Sequence, residues 1–239
     1  MKYVRLTLIL LAVFLFACSG DEEKQADVQH ESPSDTSKQT EPEPFSIDEF
    51  IDTVSTAPDS VAALFLKKSI MEGDYEEAVS YLCRQNRELV SRDSFMQYVA
   101  FGKENPGWDS LTAFKYEMTR GYIPVHAALN DVPRIKRISC TDICLFEYDV
   151  TGPLLVINVF NAALGKLGKK HFDAVIDSNL TLAEKREYYD YAFKRLRHVA
   201  DSMDFAKRLK TDTLKLIREN SDWKVCKEAN NSFDIFRQY

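Results

Sequence analysis

Phe146-Glu147-Tyr148-Asp149-Val150-Thr151-Gly152-Pro153 is the stretch on which the fold class turns. Phe146, Tyr148 and Val150 alternate with Glu147 and Asp149, the period of two that sends apolar side chains to one face of a strand and acids to the other. Gly152-Pro153 then turns the chain into the apolar run Leu154 to Phe160, read as further strand. Near the C-terminus the same period returns: Leu214 and Leu216 alternate with Lys215, and Trp223 and Val225 alternate with Lys224 and Cys226. Asn220-Ser221-Asp222 between them supplies turn residues, which predicts a hairpin.

Upstream the period lengthens to that of a helix. Ser46-Ile47-Asp48-Glu49 has the pattern of a capping box and predicts a short helix. Asp59 or Ser60 is expected to cap a second one, in which Ala62, Phe65, Leu66 and Ile70 share a face before Gly73 ends it. Tyr75, Ala78, Val79 and Leu82 repeat the pattern. A further amphipathic stretch runs from about Arg92 to Gly102 with Phe95, Tyr98 and Val99 inward, and Asn105-Pro106-Gly107 breaks it. Between the two strand regions, Leu182, Tyr189, Ala192, Phe193, Leu196, Val199, Ala200 and Met203 trace one stripe through a long helix. Acids interrupt its basic side, so it reads as a helix packed on the body. Lys166, Lys169, Lys170 and His171 read as a solvated loop. The expected class is α+β: N-terminal helices packed in a curved antiparallel sheet, with a long inserted helix near residues 182–207.

The chain has 239 residues, 45% apolar and 28% charged, with a net charge of −6. That charge is unevenly placed: residues 1–18 carry +2 and residues 19–44 carry −6, leaving only −2 on residues 45–239. A body so nearly neutral argues against a nucleic-acid partner, which needs a basic surface to replace phosphate counterions. Residues 45–239 are one α+β domain, long enough to bury roughly 70% of the unfolded chain's surface.

Lys2 and Arg5 precede a 12-residue apolar run, Leu6 to Ala17, too short for the ~20 residues of a membrane-spanning helix and fitted to an export signal. Leu15-Phe16-Ala17-Cys18 closes it and resembles the lipobox of bacterial lipoproteins. The resemblance implies removal of residues 1–17 and acylation of Cys18, whose thiolate is the nucleophile that thioether formation needs. Each buried CH₂ adds ~0.8 kcal/mol, so two or three chains would hold the protein to a membrane. Residues 18–44 then form a lipidated cysteine and an acidic tether without aromatic residues, which cannot bury enough surface to offset its ordering entropy. A coil of 26 residues, 19–44, reaches roughly 30 Å. Its start, Ser19-Gly20-Asp21-Glu22-Glu23-Lys24, resembles lipoprotein surface-export signals, and periplasmic and surface faces of the outer membrane are both consistent with it.

A second resemblance concerns the folded part. The helix order, the Gly-Asp turn in Met71-Glu72-Gly73-Asp74-Tyr75-Glu76-Glu77-Ala78, and the closing Trp223-Lys224-Val225 resemble small bacterial lipoproteins of the nuclear-transport-factor-2-like superfamily. It covers residues 57–101 and 211–228 and implies a cone, a curved sheet wrapped round N-terminal helices. The stretch 161–208 departs from that pattern as a helix-rich insertion.

Four cysteines remain after Cys18: Cys83, Cys140, Cys144 and Cys226. In an exported protein they are candidates for disulfides and can pair in three ways. If Cys140 and Cys144 share one extended strand they lie ~13 Å apart, beyond the ~7 Å that a disulfide spans between Cα atoms, and each then needs a different partner. Cys140-x₃-Cys144 has no nearby Cys or His to complete a zinc site. His126, His171 and His198 are isolated, and no nucleophile elbow, phosphate loop or zinc-protease motif occurs, so no cofactor or metal is implied. Five Asp-Ser/Thr-apolar tripeptides, at Asp52, Asp59, Asp109, Asp201 and Asp212, resemble a bacterial O-glycosylation acceptor, and helix capping accounts for them equally. The expected role is a noncatalytic, lipid-anchored binding or interaction module of the cell envelope, with an unknown envelope protein or small ligand as partner. The alternative is a small-ligand carrier or enzyme with Glu147, Asp149 or His126 in the cone's cavity.

Overall fold

The computed structural model describes residues 43–47, 56–154, 179–202 and 206–236. The signal, Cys18, the tether, most of the helix expected from Ser46, the run Leu155 to Phe160 and the basic stretch Lys166 to His171 lie outside the described residues.

Helix α1, Pro58–Leu66, starts ahead of its expected caps: Ala57, two residues before Asp59, is the N-cap and Pro58 occupies the first turn. Proline's fixed φ suits that position and its missing N–H costs nothing there. Asp59 is thereby released from capping and pairs with Arg137 of the sheet, Oδ2 to Nη1 at 2.8 Å. A π-helical turn, Lys67–Glu72, continues α1 to Gly73, whose φ of 66° closes it. Asp74 then caps α2, Tyr75–Ser80, accepting from the Glu77 N–H.

The stretch expected to be one helix from Arg92 is divided at Asp93. Arg92 closes α3, Arg84–Arg92, and Asp93 caps α4, Ser94–Phe101, by accepting from the Met96 N–H. Helix α3 buries Asn86 and Val90 and has no apolar stripe to read. Helix α5, Ser110–Ala128, is capped by Asp109 and contains Pro124, a residue disfavoured inside a helix.

The sheet is an antiparallel meander in the order β1-β2-β3-β4. Strands β1, Asp131–Cys140, and β2, Ile143–Pro153, form one hairpin; β3, Lys207–Glu219, and β4, Asp222–Val225, form the other. Arg134, Lys136 and Arg137 mask the alternation of β1, where Val132 and Ile135 are the buried positions. Strand β3 begins at Lys207, so Lys207 pairs with Pro153 and Leu216 with Cys144. Asn220 and Ser221 take positive φ in the two-residue turn before β4, the handedness a tight hairpin requires.

One sheet face, carrying Cys144, Phe146, Tyr148, Val150, Leu214, Leu216 and Val225, packs on Ala62, Phe65, Leu66, Ile70 and Leu82 to form the main core. This is the α+β arrangement expected. Phe45 bridges Ile135 on the β1 edge and Leu82 bridges Val225 on the β4 edge, so both edges are partly covered. The long helix α6, Leu182–Ser202, lies on α5 through two further clusters, Phe114 with Tyr189 and Val125 with Leu196 and Val199. Gly121 permits this approach: a Cβ there would stand 2.0 Å from the Tyr189 hydroxyl oxygen. Helix α7, Ser232–Phe236, seats Ile235 in the main core.

Candidate functional site

The four cysteines after Cys18 form two pairs. Cys83, just after α2, meets Cys226, just after β4, with Cα atoms 5.2 Å apart. The backbone supports that meeting: the Cys83 N–H donates to the Val225 carbonyl at 2.7 Å and the Val225 N–H to Tyr81 at 2.9 Å. Cys140 pairs with Cys144 at a Cα distance of 4.0 Å, so the condition under which each would need a separate partner is not met. The two do not share a strand. A turn at Thr141-Asp142 reverses the chain, so Cys140 ends β1 opposite Cys144 in β2.

Glu147 and Asp149 share the sheet face opposite the core, as their alternation predicts, and are therefore turned away from the helices. Arg134 joins them, with Nε 2.7 Å from Asp149 Oδ2 and Nη2 3.2 Å from Glu147 Oε1. The Thr211 hydroxyl donates to Asp149 Oδ1 at 2.8 Å. Asp149 is only 7% exposed and is held by charge-assisted bonds, as a buried carboxylate requires. His126 stands apart from this pair. It is half-buried on α5 beside Tyr122, with Asn130 Nδ2 3.3 Å from its Nδ1 and donating to its carbonyl at 2.6 Å. Desolvation holds its pKa below the usual imidazole value.

The converging polar groups on the core side are others. The Tyr148 hydroxyl donates to Asp212 Oδ2 at 2.8 Å, and Lys227 Nζ lies 3.8 Å from the same oxygen. Asp212 Oδ1 also accepts from the Thr213 N–H. Fully buried Asn86 clamps the Lys227 main chain from both sides, donating to its carbonyl at 3.0 Å and accepting from its N–H at 2.8 Å. Burial pushes the Lys227 ammonium down, opposed by Asp212 and Asp234. Burial pushes the Tyr148 phenol up, and the neighbouring Asp212 charge adds to it. The arrangement is an anion between two donors, a phenol and an ammonium, at the rim of an apolar interior. Sequence reading took Asp212 only as the start of an Asp-Thr-Leu tripeptide, although the period of two through Leu214 and Leu216 extends back to it.

A second feature missed from sequence is an aromatic cluster between α4 and α5. Trp108 meets Tyr98 at 5.5 Å and Tyr116 at 4.5 Å between ring centroids, and the Arg120 guanidinium lies 5.5 Å from the Tyr98 ring. Among the described residues no group of three His, Cys, Asp or Glu side chains is placed to hold a metal ion. Comparison with known proteins finds no matching family model, no matching curated protein and no matching solved structure.

Proposed function

We propose that this chain is a lipid-anchored cell-envelope protein of the outer membrane whose folded part, residues 45–239, serves as a noncatalytic binding or interaction module. Leu15-Phe16-Ala17-Cys18 behind a short basic-apolar leader is the observation that carries the reading. The pairing of all four remaining cysteines supports it, because disulfides persist in oxidising compartments outside the cytosol. Residues 57–101 and 211–228, the two pieces that carry the resemblance to the cone-like family, meet where Leu82 bridges Val225.

Metabolic labelling with a fatty-acid analogue tests the anchor. Wild-type protein takes up label and Cys18→Ala does not; equal labelling of the two refutes the reading.

Tyr148, Asp212 and Lys227 favour a second reading, a small-ligand carrier or enzyme using the core-side face of the sheet. A thermal-shift screen against small polar acceptors separates the two. Ligands that raise the midpoint of wild type but not of Asp212→Asn support the carrier, and identical responses remove it.

A further inference from the structure

We propose that the outer sheet face at the β1–β2 turn is a docking face for the anionic lipid bilayer that holds the anchor; this rests on the lipid-anchored reading above. Ile138, Ile143 and Leu145 are 51%, 45% and 39% exposed and gather at this one end of the sheet. Ile143 and Leu145 alternate with the inward Cys144 and Phe146, so both point away from the core. Ile138 is the extra residue at the register shift between Arg137 and Ser139, next to Ser139, which pairs with Leu145. Ile217 pairs with Ile143 and extends the apolar surface into β3, where Lys215 pairs with Leu145.

Lys215 therefore flanks the aliphatic group. Asp142 stands at the turn, and Glu147, the nearest acid along β2, is engaged by Arg134. Aliphatic side chains seated at the headgroup boundary, with lysine stems lying along them and ammonium groups among phosphates, are the pattern of an interfacial surface. The Cys140–Cys144 bond closes the turn covalently and holds the three aliphatic residues as one unit.

The path of the chain selects the bilayer as occupant. Phe45 donates to and accepts from Ile135 at 2.8 and 3.0 Å, an antiparallel pairing. Going towards the N-terminus, Pro44 and Glu43 therefore run along β1 in the direction of Arg137 and Ile138. Only 26 residues, 19–44, separate Cys18 from Phe45, a mean reach of roughly 30 Å. The tether thus joins the domain on the side of the apolar turn, whereas the exposed Leu154 and Leu209 lie at the opposite end of β2 and β3.

Tryptophan scanning of the full-length acylated protein in vesicles of phosphatidylethanolamine with phosphatidylglycerol tests the face. Emission added by Leu145→Trp is expected to be quenched about three-fold by brominated acyl chains, and emission added by Leu209→Trp to be unaffected. Equal quenching at the two sites, or none at 145, overturns the proposal; none at 145 would leave the face to a protein partner. Should Leu145→Trp misfold, acetylation of wild-type protein decides: Lys215 reacts more slowly on these vesicles than on neutral phosphatidylcholine while Lys207 does not, and unchanged rates overturn it. Intact mass of the same sample reports the acyl chains on Cys18, so a missing anchor is distinguished from an anchored protein that does not dock.

Discussion

His126 is the residue whose burial has the plainest pH signature. Its folded pKa lies below the unfolded value of about 6.5, so the unfolded chain binds more protons as pH falls below that value. The stability contributed by the neutral imidazole is complete above pH 6.5 and is lost as pH drops towards the folded pKa. Urea midpoints measured at pH 7.5 and pH 5 are expected to fall more for wild type than for His126→Gln. Gly73 offers a conformational counterpart. Its φ of 66° is the left-handed region, and an added Cβ would lie 2.7 Å from Ile123 Cγ2. Gly73→Ala is expected to cost roughly 1–3 kcal/mol in equilibrium unfolding. Gly73 was legible because a glycine after an apolar helical stripe has one common meaning, a C-terminal cap. The Asp212 cluster was not, because an inward acid resembles the solvent-facing charges on the other side of a strand until its partners, Tyr148 and Lys227, are known in space.

Elements differ in how openly they declare themselves, and capping shows why. Asp93 accepts from the Met96 N–H at the start of α4 and from the Ser232 hydroxyl at the start of α7, joining two elements 139 residues apart. Asp109 makes only the first kind of bond, to Thr112 at the start of α5. Asp93→Ala is therefore expected to cost about 1–2 kcal/mol, and more than Asp109→Ala, in urea denaturation. Strands β2, β3 and β4 and helices α1 and α6 were legible because their apolar residues keep one period over several turns. Helix α3 has a polar composition with two buried side chains, α5 carries Pro124, and β1 sets three basic residues into its alternation. In each of these, neighbours in space decide the structure, and local pattern carries little of it. The cystine pairing stayed open for a related reason: separate partners followed only if Cys140 and Cys144 shared one strand, and the turn between them makes two strands.

For the whole molecule the two disulfides are unequal. Cys83 and Cys226 are 143 residues apart and Cys140 and Cys144 only 4, so chain-entropy estimates give ~5 and ~2 kcal/mol for their closure. Replacing Cys83 and Cys226 together by alanine is expected to lower the urea midpoint well beyond the loss in the Cys140→Ala/Cys144→Ala protein. The longer bond also sits beside the Leu82–Val225 bridge, where the first helices meet the last strand. On the export route proposed above, a polypeptide threaded through a translocation pore from its N-terminus would lack the last strand of the main core until residue 225 had emerged. Final closure would then be postponed by topology, and the same wiring that makes the finished globule hard to open would leave the travelling one incompletely sealed.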